Sequence, residues 1–266
     1  MLRILFWNLH KKDLRHLICE LVSHHSVDVV ALLESATSAA GMLDQLRSEV
    51  SLDFAMPPAI TERFQVFSRD LDLGLQESYG GDRLCFRQLN HRATKMLLGL
   101  VHIVDRRNWD GLHQSGQIQL MADEIRRHES DEGHSRTILI GDFNMNPYSP
   151  AMNIATGMNA LMTKRCASRG SRVLQGIEYP FFYNPMWGLF GDRIDGPPGT
   201  YYHNNSTKGT YGWNMLDQVL IRPDAINSFE AVEILSNTGS TSLVGSARRP
   251  NRGTASDHLP LLLKLK

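Results

Sequence analysis

Residues able to do chemistry recur beside apolar runs in this sequence. Asn8 follows Leu2 to Trp7, Glu34 follows "VDVVALL", and His102 follows "KMLLGLV". Asp142 and Asn144 follow "TILIG", Asp217 lies inside "NMLDQVLI", and Asp257 and His258 precede "LPLLLKL". Each alone has a plain explanation: a strand-end carboxylate is usually solvated, and a lone buried histidine is usually a satisfied core residue. Their repetition is the signal, because neighbouring strand ends share one rim of a sheet, where open α/β folds place ligands. Acids, amides and histidines gathered there form an oxygen-rich site. The three cysteines are scattered and the strand-end set holds no closely spaced histidine pair, which argues against zinc there. Such oxygens suit magnesium or manganese, Mg²⁺ or Mn²⁺, completed by water and a substrate phosphate. Histidines beside carboxylates can donate to a phosphoryl oxygen or move protons. No serine or cysteine stands in a nucleophile-elbow context, so water is the expected nucleophile. The residues read as metal-assisted hydrolysis of a phosphate ester.

The elements that would hold these groups alternate along the chain. "LRILFWN", "VDVVALLES" and "RTILIGDFN" read as buried strands. "DLRHLICELVSHH" carries apolar residues at helical spacing, with Asp13 as its expected N-cap, and residues near 38 to 50 repeat that pattern. "RFQVFSRD", "LGLQESY", "RLCFRQL" and "KMLLGLVHIVD" read as one antiparallel meander, and "GQIQLMADEIRRH" as an amphipathic helix. Gly141 is read as a bend, and Ser149-Pro150 as the start of a helix through about residue 162. Residues 165 to 214, rich in Gly, Pro, Asn and aromatics, read as long loops with short strands. "NMLDQVLIRP", "FEAVEIL" and "LPLLLKLK" close the chain as strands. No repeat or linker interrupts it, so one α/β domain over residues 1–266, built on two packed sheets, is expected.

Composition narrows the partners. With 28 basic and 28 acidic residues, the formal net charge is zero, so any anion site must be local. The cysteines Cys19, Cys85 and Cys166 suit a reducing compartment, and the apolar N-terminal run is too short for a signal peptide, so a cytoplasmic location is expected. A monomer is expected. Neutral charge and the lack of an evident apolar hairpin weigh against a membrane.

The motifs as a set resemble the endonuclease/exonuclease/phosphatase superfamily: Trp7-Asn8, Glu34-Ser35, "GLVHIVD", "GDFNMNP", "MLDQVLI" and Ser256-Asp257-His258 occur in that order from residue 7 to 262. The resemblance implies a four-layer α/β sandwich, two mixed sheets face to face with helices outside. It implies that Glu34 is the principal metal ligand, with Asn8 and Asp257 beside it. Asp142 would align or deprotonate the water, with Asn144 holding that aspartate or the phosphate. His258 would hydrogen-bond the scissile phosphate, oriented by Asp217. His102 would be the second phosphate-facing histidine, its tautomer fixed by Glu62 of "TERFQVF". His10 stands where repair-type members carry an acid, Leu33 replaces a usual glutamine, and His102 replaces a tyrosine motif of apurinic-site enzymes. The sequence therefore leans to the deoxyribonuclease-like, general phosphodiesterase branch.

Two substrate classes fit. A nuclease acting on DNA or RNA is favoured by Arg248, Arg249 and Arg252 just before Asp257, and by Arg106 and Arg107 after His102. The aromatics Trp187, Tyr201, Tyr202, Tyr211 and Trp213 could stack on bases or pack their own loops. The alternative is a phosphatase or phosphodiesterase for a small molecule, inositol phosphate or phospholipid headgroup.

Overall fold

A computed structural model describes residues 1–105, 111–192, 196–204 and 210–266; Arg106 and Arg107 lie outside the described residues. The chain opens with β1 (Leu2–Lys12), whose Leu5, Trp7 and Leu9 face one way and Ile4 and Phe6 the other. Burial on both faces is that of a central strand between two layers. Helix α1 (Arg15–His25) follows, then β2 (Val29–Ser35), α2 (Ala39–Glu49) and β3 (Phe64–Ser68). Next come β4 (Gly74–Gly80), β5 (Leu84–His91), β6 (Thr94–His102), helix α3 (Gly111–Asp131) and β7 (Thr137–Asp142). The irregular stretch holds α4 (Pro150–Asn153), β8 (Ala160–Leu161), β9 (Ser171–Leu174), β10 (Ile177–Pro180), β11 (Phe182–Tyr183), β12 (Tyr201–His203) and β13 (Gly212–Asn214). The chain closes with β14 (Asp217–Ile221), β15 (Phe229–Ile234) and β16 (Leu261–Leu265).

Two mixed sheets result. One runs β15-β16-β1-β2-β3 and the other β4-β5-β6-β7-β14-β11-β8. Their facing sides share one core: Ile4, Phe6 and Leu263 from the first, Leu98, Leu100, Ile138 and Val219 from the second. The outer side of the first sheet packs on α1 and α2 through Leu17, Leu21, Met42 and Leu46. The outer side of the second packs on α3 through Ile118, Met121 and Ile125. This is the four-layer α/β sandwich. Each buried Leu, Ile or Phe contributes about 1.5–3 kcal/mol, so the strands are fixed by these layers rather than by local propensity.

Four local expectations need correction. The strand at 64–68 does not join the meander; β3 pairs antiparallel with β2, and only β4, β5 and β6 form the meander in the other sheet. The helix expected through residue 162 stops at Asn153, because the chain folds back until Met158 N bonds the Ala151 carbonyl and Gly157 leaves no room for a Cβ against that oxygen. Asp13 does not cap α1: Leu14 holds the N-cap position, and Asp13 chelates Arg15 instead. Gly141 is not a bend but a close approach of two backbones, since a Cβ there would meet the Val101 carbonyl oxygen at 2.1 Å where β6 and β7 pair.

No described helix is long and apolar enough to cross a membrane. The β9–β10 hairpin does, however, leave Val173, Leu174 and Ile177 exposed, contrary to the absence of an apolar hairpin read from the sequence.

Candidate active site

The polar groups are the last rung of the inner-face ladder. On β1 the inward series Ile4, Phe6 continues to Asn8; on β6, Leu98 and Leu100 continue to His102; on β7, Ile138 and Ile140 continue to Asp142; on β14, Ile221 and Val219 continue back to Asp217. With a side-chain period of two, each polar residue must point where its apolar predecessors point. Register aligns them: His102 pairs with Asp142, and Asp142 with Asp217. Glu34 breaks the rule. Inward residues on β2 are Val29, Ala31 and Leu33, so Glu34 should face the helices. Its φ of 53° turns the carboxylate into the inter-sheet cavity, and β1 and β2 lose register just beyond Asn8. A bulge at a strand end re-aims a side chain in this way, at a cost the surrounding packing must meet.

The two sheets meet through these side chains. Asn8 Nδ2 donates to Asp142 Oδ2 at 3.0 Å, His258 Nδ1 lies 2.7 Å from Asp217 Oδ2, and His102 Nε2 lies 3.5 Å from Glu34 Oε1. His258 Nε2 is 4.0 Å from Asp142 Oδ2, so this imidazole lies between two carboxylates. Asn144, with φ 49° rather than extended backbone, bonds Asp142 twice, through its amide N at 2.9 Å and Nδ2 at 3.2 Å. The Ser256-Asp257-His258 turn is pinned below: Ser256 Oγ donates to the Asn8 carbonyl and accepts from His258 N, and Trp7 Nε1 donates to the His258 carbonyl. Thr200 Oγ1 accepts from Asp217 N while its carbonyl accepts from Leu259 N, which holds Asp217 and His258 side by side.

Electrostatics separate the histidines. Burial alone would push the His258 imidazole down, but Asp217 and Asp142 overcome it and hold the ring well above its ordinary value. Burial raises Asp142 above the usual carboxylate range, the His258 charge opposes this, and the Asp217 charge adds to it. His102 goes the other way. Burial and then the guanidinium groups of Arg63 and Arg83 push it down to about 3. The Arg63 interaction is direct, Nη1 to His102 Nδ1 at 3.0 Å. Glu62, expected to hold this ring, is exposed, and its neighbour takes the place. Strand alternation does not account for this: Phe64 points into the core, and a period of two would put position 62 on that side, but both residues precede β3 and it is Arg63 that reaches His102 from there.

A cavity of about 510 Å³ joins these groups; Asn8, Glu34, His102, Asp142, Asn144, Asp257 and His258 all line it. So do His10, whose Nδ1 is 3.5 Å from Asp257 Oδ1, and Tyr201, both noted in the sequence without a place in the core of the site, and Arg83, Asn146 and Tyr148, which sequence reasoning missed. Asn146 stands two residues beyond Asn144 in the same motif and bonds Asn214, Met215 and Tyr148, tying the β7 loop to the strand that leads to Asp217. Arg248, Arg249 and Arg252 do not line the cavity. Arg252 lies over the Tyr201 ring at 5.1 Å, Arg249 over Tyr202 at 5.5 Å, and the Tyr201 ring is 4.9 Å from that of His258.

A sequence model of the Endonuclease/Exonuclease/phosphatase family matches residues 5–258. The chain belongs to that family.

Solved structures agree on the fold. The chain is similar to a humanized D. rerio TDP2 carrying 14 mutations (14% identity, TM-score 0.54, covering 100% of this chain and 98% of that one). It is similar to the endonuclease domain of TRAS1, a telomere-specific non-LTR retrotransposon (14% identity, TM-score 0.55, 100% and 99%). It is also similar to the mannosyl-6-phosphatase Bt3783 of Bacteroides thetaiotaomicron VPI-5482 (14% identity, TM-score 0.59, 100% and 100%). Among curated protein sequences, none matches. Family members hydrolyse phosphate esters, generally with divalent metal ions.

The donor set of this family member fits such an ion. Asp257 Oδ1 is buried with no hydrogen-bond partner, and the Glu34 carboxylate faces the same cavity. A buried, unpartnered carboxylate oxygen such as that of Asp257 is costly without a cation. Asn8 stands between the two sets, its Oδ1 accepting from His10 N at 3.1 Å while its Nδ2 serves Asp142. Among the described residues, the His and acid side chains that gather their ligand atoms within 4.8 Å of one another are different ones, Asp142, Asp217 and His258. In that group the two His258 nitrogens already lie 2.7 Å from Asp217 Oδ2 and 4.0 Å from Asp142 Oδ2.

Proposed function

We propose that this chain is a Mg²⁺-dependent nuclease, one domain over residues 1–266, that cleaves phosphodiester bonds of DNA or RNA by attack of water. The observation that carries the reading is the Asp217–His258–Asp142 line beside a cavity lined by the Glu34 and Asp257 carboxylates, the latter with one buried oxygen unpartnered. Glu34 and Asp257, with Asn8 adjacent, would hold the metal; Mn²⁺ would suit the same oxygens. A bound divalent ion supplies Lewis-acid stabilisation of negative charge on phosphate oxygens.

The chain's own residues do the rest. Asp142, fixed by Asn8 and by two bonds from Asn144, aligns the water and takes its proton. His258, held charged by Asp217, donates from Nε2 to a phosphate oxygen. Neutral His102 donates from its own Nε2 on the other side of the cavity. Preorganised donors of this kind stabilise the pentacoordinate state without reorganisation. The Arg252–Tyr201 stack beside His258 supports a polynucleotide substrate, since cation and ring together suit a backbone phosphate and its base.

A second reading, a phosphatase or phosphodiesterase for a small phosphate ester, is favoured by Arg83, a cation lining the cavity itself. Plasmid DNA, RNA and inositol phosphates assayed with Mg²⁺ and with EDTA separate the two. Cleavage of nucleic acid that stops with EDTA is expected. Turnover of inositol phosphates alone would replace the nuclease reading with the second one.

A further inference from the structure

The catalytic cavity does not end at Tyr148. That residue also lines an adjoining groove of about 600 Å³ whose other walls include Ile154, Met162, Leu174, Trp187 and Arg172. Tyr148 is built for the boundary. Its ring is 51% exposed, it leans on Phe190 at 5.9 Å, and its hydroxyl accepts from Asn146 Nδ2 at 2.9 Å. Asn146 is itself buried and bonded to Asn214, so the ring is held from the catalytic side. The far side of the groove is the β9–β10 hairpin, where Arg172 Nη2 donates to the Asn153 carbonyl at 3.0 Å.

Charge identifies the occupant. The chain has no net charge, yet residues 162–174 carry Lys164, Arg165, Arg169 and Arg172 and no acid. The segment 246–256, which packs on Tyr201 at another part of the cavity, carries Arg248, Arg249 and Arg252 and again no acid. A cavity bracketed by two cationic segments suits an extended polyanion that crosses it. A membrane would need only one of them. Apolar and aromatic walls next to guanidinium groups suit unstacked bases on a charged backbone.

We infer that this groove is a second subsite, which takes the nucleotide flanking the scissile phosphate of a single-stranded polynucleotide: its base stacks on Tyr148 and its phosphate meets Arg172, with Arg169 adding charge from the same segment. The inference rests on the nuclease reading and adds the path of the strand.

The test is direct binding of a fluorescently labelled single-stranded oligodeoxynucleotide in EDTA, read by anisotropy over a salt series. Compared are the unmodified protein, Tyr148→Ala, and Arg169→Ala combined with Arg172→Ala. Tyr148→Ala should raise Kd about fivefold or more, with Tyr148→Trp restoring it. The arginine variant should flatten the dependence of log K on log salt by roughly 0.7 for each phosphate no longer neutralised. Unchanged binding in both variants overturns the subsite. Hydrolysis of bis(p-nitrophenyl) phosphate with Mg²⁺ by the arginine variant reads the fold, and a loss there equal to its loss of strand binding also overturns the subsite. Sedimentation with vesicles of anionic phospholipid, abolished by the arginine variant while strand binding persists, would assign the hairpin to a membrane. If the strand binds through the groove but is not cut on adding Mg²⁺, the nuclease reading fails and the subsite stands.

Discussion

Arg63 Nη1 lies 3.0 Å from His102 Nδ1. A guanidinium offers only donors, so the ring nitrogen it meets must accept. His102 therefore carries its proton on Nε2, the nitrogen that faces Glu34 across the cavity. A carboxylate at the same place would draw the proton to Nδ1 and favour the charged ring. Arginine instead fixes a neutral donor.

Replacing that arginine by an acid should reverse the tautomer. In Arg63→Glu, imidazole nitrogen NMR should move the His102 proton to Nδ1 or show both nitrogens protonated near neutral pH, and phosphodiester turnover should fall. Unaltered nitrogen shifts in the variant would show that Arg63 does not orient the ring.

The same depressed His102 has a consequence for stability. The folded chain binds this proton more weakly than the unfolded chain, so protonation favours unfolding. For the metal-free protein the contribution is intact above the ordinary value of 6.5 and is lost as pH falls towards about 3. Urea midpoints of the unmodified protein and of His102→Gln, measured over that range, should converge as the pH drops. Parallel curves would exclude His102 as the titrating group.

Glu34→Gln keeps the shape and removes the charge. Mg²⁺ affinity measured by calorimetry should fall and the far-ultraviolet circular dichroism should be retained. An unchanged Mg²⁺ affinity would remove Glu34 from the metal site.

Asp142→Asn, His258→Ala and Asp217→Asn should each lower kcat by about 10²-fold or more and change KM little, as expected for groups acting in the transition state. Asp217→Asn should also let His258 lose its proton at lower pH, because the first group that raises it is gone. A variant of near-normal kcat on any good substrate would exclude that residue from the chemical step.

Arg248, Arg249 and Arg252 are tested together by alanine replacement. On duplex DNA each phosphate they neutralise adds roughly 0.9 to the salt slope of binding, so the triple variant should show a flatter slope. No change in slope would leave these arginines as supports for Tyr201 and Tyr202.

Much of this arrangement was legible in the sequence, and the reason is periodicity. Phe6 to Asn8, Leu100 to His102 and Ile140 to Asp142 are two-residue steps on buried strands, so the facing direction of each polar group follows from its apolar predecessors. Glu34 obeys no such rule, since its aim depends on a left-handed backbone that the sequence does not announce. Glu62 is exposed while Arg63 meets His102, and both precede β3, where strand alternation no longer fixes which way a side chain points. Arg83 and Thr200 were missed because nothing local in their neighbourhoods marks them, and Asn146, although it stands in the GDFNMNP motif, because its partners Asn214 and Met215 come from a distant segment. The sheet of β3 escaped sequence reasoning because it is decided by a long-range partner, here β2.

The bond from Asn8 to Asp142 crosses from one sheet to the other, and that from His258 to Asp217 ties the turn leading into β16 of the first sheet to β14 of the second. The catalytic geometry is therefore a gauge of the distance between the sheets, and that distance is set by the side chains sandwiched behind it, among them Phe6, Leu100 and Ile140. Core volume and reaction rate are mechanically linked in such a molecule. A methyl group removed from Ile140 lets the jaws settle closer or tilt, and turnover shifts even though every reacting atom is still present. Selection on activity would then act on hydrophobic residues that never touch a substrate.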